Sequence, residues 1–256
     1  MQLYFISGKR LAKDVTEKMG KLQQFAHRAS IAHDSEDIHQ FRVTYKKLRA
    51  LLRMANATGH KKDIQQVLKK LYAAAGVIRD LQIHHQTVSD YFLQYNTLPE
   101  KYLQHIQQEI TSGIYAFRKV YKQVSFSRAK KLVLRHLPRK LSREKLIKWH
   151  KTNTDAIKEA ADSRLQDEQI HEIRKHIKDL LYTESYISSA NNYKDTAHIL
   201  GDFMDSCILL TLLDKYLPHA SPDEVMMLAN ARQHWEADKA RLKEEAIGAI
   251  AQISGR

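Results

Sequence analysis

Apolar residues recur at three- and four-residue spacing along almost the whole chain, and strict apolar–polar alternation is nearly absent. That pattern predicts an overwhelmingly helical protein. The periodic segments place helices over 9–29, 36–57, 61–95, 100–124, 142–161, 167–190, 193–216 and 222–253. Ser221-Pro222-Asp223-Glu224 has the form of a capping box with proline in the first turn, and Thr97-Leu98-Pro99-Glu100 offers a second helix start. Asp34-Ser35-Glu36-Asp37 puts acids where a helix N-terminus attracts negative charge. The stretch 125–141, with Ser125, Ser127 and Pro138, interrupts the period and reads as a connection with room for a short helix of its own.

An internal repeat organises these helices. Ile38-His39-Gln40-Phe41-Arg42 aligns with Ile170-His171-Glu172-Ile173-Arg174 at an offset of 132. Further on, Ala75-Gly76-Val77-Ile78-Arg79-Asp80-Leu81 aligns with Leu200-Gly201-Asp202-Phe203-Met204-Asp205-Ser206 at an offset of 125, with Ile83 and Ile208 as apolar counterparts. Two matches in the same order predict an all-α chain of two related four-helix bundles, 5–124 and 142–253, joined by 125–141. At 256 residues, one bilobal unit and two small domains are both compatible with length.

Charge adds a demand that the pattern does not. The 42 Lys plus Arg exceed the 29 Asp plus Glu by 13, and 14 His can add to that excess beside an anion. Such a surplus repels itself, and an anionic partner relieves it. Nucleic acid, an anionic membrane and polyphosphate satisfy that demand alike. Cys207 is the only cysteine, which excludes an intrachain disulfide and a thiolate-rich metal site. Lys9, Arg10 and Lys13 follow an apolar stretch far shorter than a signal peptide's core, and no stretch approaches the roughly 20 apolar residues of a membrane span. The expectation is a cytoplasmic protein without a membrane partner.

The charge is also ordered. Ile38, Phe41, Tyr45, Leu48 and Leu52 form one helix stripe suited to a core, and His39, Arg42, Lys46, Arg49 and Arg53 repeat its spacing one residue later, about 100° round the helix. Like charges three or four apart cost an isolated helix a few tenths of a kcal/mol each. No acid between Ile38 and Arg53 relieves them. One such stripe is compatible with a plain solvated face, but His171, Arg174 and Lys178 repeat its first three positions beside Ile170, Ile173, Ile177 and Leu180. Arg79 and Lys175 are further cationic candidates. Asp80 and Asp205 are acids in a place meant for anions, and are expected to orient a His or Arg rather than touch ligand.

These residues resemble the CHAD domains, a family whose helical repeats carry H-x-x-R-x-x-x-K-x-x-R followed by a Gly-x-x-x-Asp element. His39, Arg42, Lys46 and Arg49 match the first pattern, and Gly76 and Asp80 the second. In the other half His171, Arg174 and Lys178 match, with Tyr182 where the family often has an aromatic, and Gly201 and Asp205 later. The resemblance covers residues 5–250 and implies paired four-helix bundles about a pseudo-twofold axis, with basic helices lining a groove for inorganic polyphosphate. Leu181 and Ser185 replace the counterparts of Arg49 and Arg53, which implies a site weighted toward the first half. Arginine forks and lysine point charges suit a ligand made of phosphate oxygens. Anion binding should favour the protonated histidines and strengthen as pH falls.

Other chemistries find little support. His171 and His176 are five apart, about 140° round a helix, so His171-Glu172-Ile173-Arg174-Lys175-His176 is not a zinc-protease motif, and no metal or other cofactor is expected. No phosphate-binding glycine loop, nucleophile elbow or E-x-E-x-K signature is present, so the expectation is a binder without catalytic residues. Trp149, Trp235 and the 12 Tyr do not interleave with the basic stripe, which places nucleic acid second to polyphosphate. A basic tract from Arg118 to Lys151, whose one acid is Glu144, extends the groove or is merely a basic connection.

Overall fold

The computed structural model describes residues 5–32, 34–56, 66–161, 165–187 and 193–254. Among them nine α-helices follow in chain order: α1 (Gly8–Ala32), α2 (Ser35–Asn56), α3 (Gln66–Leu93), α4 (Glu100–Tyr121), α5 (Phe126–Arg135), α6 (Arg143–Ala161), α7 (Asp167–Thr183), α8 (Tyr193–Tyr216) and α9 (Pro222–Ser254). The expected helical residues 57, 61–65 and 188–190 lie outside the described ones.

The expected connection contains α5, whose first turn is capped by Ser125 Oγ accepting from the Arg128 N–H at 3.3 Å. It also contains a strand. Residues Lys140–Ser142 (β2) pair antiparallel with Phe5–Ser7 (β1), Ile6 opposite Leu141. Three residues are too few for alternation to stand out from helical periodicity, so the pair was invisible in the sequence.

Helix α4 begins at Glu100 as expected, behind Pro99, which supplies no side-chain cap. Its donors are met from elsewhere in the chain: Glu224 Oε1 accepts from the Lys101 N–H at 2.7 Å, while Oε2 accepts from the Ser221 N–H at 2.8 Å. One carboxylate thus caps α4 and α9 together.

Helix α1 packs on α2 and α4, and α3 on the same two; α6 and α8 each pack on α7 and α9. Between these groups α2 meets α7 and α3 meets α8. The interior does not divide at the connection. The larger apolar cluster runs through α1 to α5 and takes in Leu209, Leu213 and Tyr216 of α8 and Leu228 and Trp235 of α9. The smaller joins Ile157, the α7 stripe, the start of α8 and the end of α9. Service to both clusters explains the apolar character of α8. Contrary to expectation, Tyr193–His219 is long and apolar enough by composition to cross a membrane, at a mean hydropathy of 1.3. Its Tyr193, Ala197, Leu200 and Phe203 face protein core instead.

Burial opposes the charge on Glu224, but the N–H groups of Ser221, Lys101 and Tyr102 outweigh it and hold the carboxyl below its ordinary 4.5. A depressed folded value contributes stability above the unfolded value, lost as pH falls through the folded one. Glu224→Ala is expected to cost about 1–3 kcal/mol at neutral pH. In thermal unfolding the gap from the parent should narrow in acid.

Candidate polyanion-binding cleft

The core stripes aim the cations. Ile38, Phe41, Tyr45, Leu48 and Leu52 of α2 and Ile170, Ile173, Ile177 and Leu180 of α7 are all buried, which fixes the rotation of each helix. Since α2 and α7 pack on each other, the stripes one residue on are brought to one place. His39, Arg42, Lys46, Arg49, Arg53, Arg79, His171, Arg174, Lys175 and Lys178 all line a single cleft of about 600 Å³, with Asp80, Asp205 and Tyr182.

The Gly-x-x-x-Asp element acts through Arg42. Gly76 lies under its guanidinium, where a methyl group would run into Nη1. Four residues on, Asp80 Oδ1 is 3.7 Å from Nη2, and Tyr72 supports the same guanidinium 5.1 Å from its ring centroid. The other half is looser, since a methyl at Gly201 would meet Arg174 at an ordinary 3.6 Å. Lys178 and Lys47 flank the Tyr182 ring, each 6.0 Å from its centroid.

Not every cation is equally free. Arg53 is ion-paired with Asp179, and Lys175 at the rim pairs with Glu172 at 2.6 Å. Nε of Arg53, Arg79 and Arg174 and Nδ1 of His171 are buried without a hydrogen-bond partner among the described residues.

Crowding shows in the proton affinities of the lining groups. Burial, then the charges of Arg42, Arg174 and Lys178, push Lys46 down to about 8. Two of those three neighbours belong to α7, so the stripes repel each other across the cleft. Lys178 is lowered by burial and Arg174. His39 is lowered by burial and then Arg79, and His171 by burial and then Lys175. Asp80 is raised by loss of hydration, against the pull of Arg42. Asp205 borders solvent, yet the surrounding protein also raises it, against Arg174.

Tyr72 and Asp179 were missed in the sequence. Tyr72 precedes Gly76 and Asp80 on an i, i+4, i+8 line of α3, and Asp179 ends the line from His171 through Lys175. Those lines were the available signal. The expected separation of aromatics from the stripe is corrected too, because Tyr72 and Tyr182 reach the cleft. No residue of the basic tract lines the cleft itself, whose lining comes from α2, α3, α7 and α8; Arg118 alone of the tract reaches the adjoining hollow between α3 and α4. Arg118 instead donates from Nε to the Ser30 carbonyl at 2.6 Å, closing the end of α1. His176 turns toward α6, Nδ1 2.9 Å from Asn153 Oδ1, away from His171.

Fold and site define an all-helical protein with a cationic cleft between paired helices. A family model described as the CHAD domain matches residues 15–214, and the chain belongs to that family. Its fold is similar to the crystal structure of the CHAD domain from the plant Ricinus communis, with a TM-score of 0.71, 16% identity, and 97% of this chain and 91% of that chain covered. It is also similar to PptA from Streptomyces chartreusis, with a TM-score of 0.68, 13% identity, and 98% and 99% covered. No curated protein matches the chain.

Lys46 is held near 8 when folded against an ordinary 10.5, so between those values the unfolded chain binds more protons and stability rises with pH. Lys46→Met should flatten that rise and add about 1–2 kcal/mol at pH 7 by removing a half-buried charge. Denaturant unfolding at pH 7 and 9 reads both. Gly76→Ala should displace Arg42 and weaken anion binding, whereas Gly201→Ala should leave binding intact and add about 0.5–1 kcal/mol through helix propensity. Titration calorimetry with tripolyphosphate, beside thermal unfolding, separates the two.

Proposed function

We propose that this chain binds inorganic polyphosphate in the α2–α7 cleft, as two related four-helix bundles over 5–124 and 142–253. We place it in the cytoplasm, associated with polyphosphate granules. One observation carries the reading: eight Arg and Lys converge on one cleft that holds three Asp, and Asp179 is taken up by Arg53. Such a surplus destabilises the free protein, and a ligand made of closely spaced phosphates compensates it. Membership of the CHAD family, whose domains are associated with polyphosphate, points the same way.

Nucleic acid remains the second reading, favoured by Tyr72 and Tyr182 in the cleft. Both rings already support cations, Arg42 over one and Lys178 over the other, which leaves them poorly placed to stack bases. We further propose binding without catalysis: Asp80 stands beside Arg42 and Asp179 beside Arg53, where they orient cations rather than converge on a metal or a water.

Labelled long-chain polyphosphate should be displaced by unlabelled polyphosphate and far less by duplex DNA or single-stranded RNA at about 150 mM salt. Equal displacement by DNA removes the preference, and orthophosphate release with divalent metal removes the non-catalytic assignment. Arg42→Ala with Lys46→Ala should lower affinity and flatten its salt dependence, because fewer counterions are released. Unchanged affinity and slope would leave the stripe a solvated face.

A further inference from the structure

The cleft adjoins two hollows, and their charges differ. One, of about 800 Å³, lies between α3 and α4 and shares Arg79 and Ile83 with the cleft. The other, of about 640 Å³, lies between α8 and α9 against the start of α7 and shares His171 and Met204 with it. By the repeat offset of 125 Met204 is the counterpart of Arg79, so one junction carries a guanidinium where the other carries a thioether.

The contrast continues outward. The α3–α4 hollow is lined by Arg79, Arg118 and His85 among glutamines and threonines, with no carboxylate in its lining among the described residues. Asp80, next to Arg79, faces the cleft instead, and Asp90, beyond Thr87 on α3, accepts from Gln86 at 2.6 Å. The α8–α9 hollow presents Asp167, Glu168, Glu172, Asp214 and Glu236. Its two lining cations are engaged, Arg232 with Asp214 at 3.0 Å and Glu236 at 2.9 Å, and Lys239 with Asp167 at 2.7 Å; Lys243 and Lys175 beside it pair with Asp167 at 2.8 Å and Glu172 at 2.6 Å, so the carboxylates still outnumber the cations and none of those cations is free.

Resting on the polyphosphate reading, we propose that a chain longer than the cleft leaves it in one direction only, past Arg79 into the α3–α4 hollow, while the acidic α8–α9 hollow closes the other mouth. The protein then holds one end of a polyphosphate chain in the cleft rather than an interior stretch. Phosphates leaving by the acidic mouth meet at short range more carboxylates than cations, and the cations there are already paired. By the other mouth they meet arginines and neutral amide donors.

Two threonines allow a matched test. Thr111 and Thr211 are both exposed, each sits in one hollow, and each hydroxyl donates to the carbonyl four residues back at 2.9 Å. Replacing either by glutamate therefore perturbs the helix alike. Thr111→Glu should bind long-chain polyphosphate about fivefold more weakly than the parent. It should bind tripolyphosphate, short enough to stay in the cleft, unchanged. Thr211→Glu should leave both affinities unchanged. Equal losses in the two variants, a greater loss in Thr211→Glu, or no loss in either overturns the one-way exit. If the parent binds neither ligand, the polyphosphate assignment itself falls, a result distinct from all of these.

Discussion

Repulsion between two rows of cations is the constraint around which this molecule is arranged. Lys46 shows it most plainly: half-buried, it faces Arg42 on its own helix and Arg174 and Lys178 on the other, and burial first, then those charges, hold its ammonium near 8. A helix pair free to rotate would relieve that strain by turning the rows toward water. It is prevented by the apolar stripes one residue away, where Phe41, Tyr45, Ile173 and Ile177 are buried at 0–1% exposure. Burial of side chains of that size contributes roughly 1.5–3 kcal/mol each, more than the repulsion of partly hydrated charges. The core therefore decides where the cations point, and they point at each other.

The supporting residues temper the repulsion without abolishing it. Asp80 stands near Arg42, Asp179 pairs with Arg53, and Tyr72 and Tyr182 offer ring faces to Arg42 and Lys178. Gly76 supplies room, and its lack of a side chain allows a guanidinium to lie against α3. The second half repeats the device less strictly, with Met204 in place of Arg79 and slack at Gly201. An asymmetric surface grown from a repeated frame is the physical basis for a preferred direction along the ligand.

Much of this was legible in the sequence because the relevant signals are periodic. The helix stripes repeat at three and four residues, so both the buried face of α2 and the cationic face beside it could be read before any coordinates. The duplicated His, Arg and Lys of α7 then identified the pair that shares the cleft. What escaped was either too short or nonlocal. The β1–β2 pairing spans three residues on each side, and the cap of α4 comes from Glu224, 123 residues away from the donor at Lys101. Charge density alone left the tract from Arg118 to Lys151 undecided, because counting cations does not say which way they face; Arg118 closes the end of α1 and lines the α3–α4 hollow, and no tract residue lines the cleft.

The central claim is that the row containing Lys46 is completed by phosphate in the cleft, and the titration of that one ammonium tests it most directly. With the lysine side chains isotopically labelled, its protonation followed by magnetic resonance in the free protein should centre near 8. Saturating tripolyphosphate should carry the midpoint above about 10, because a bound anion stabilises the charged form. A midpoint that stays where it was at saturation would mean that the ligand lies elsewhere, and would contradict the account.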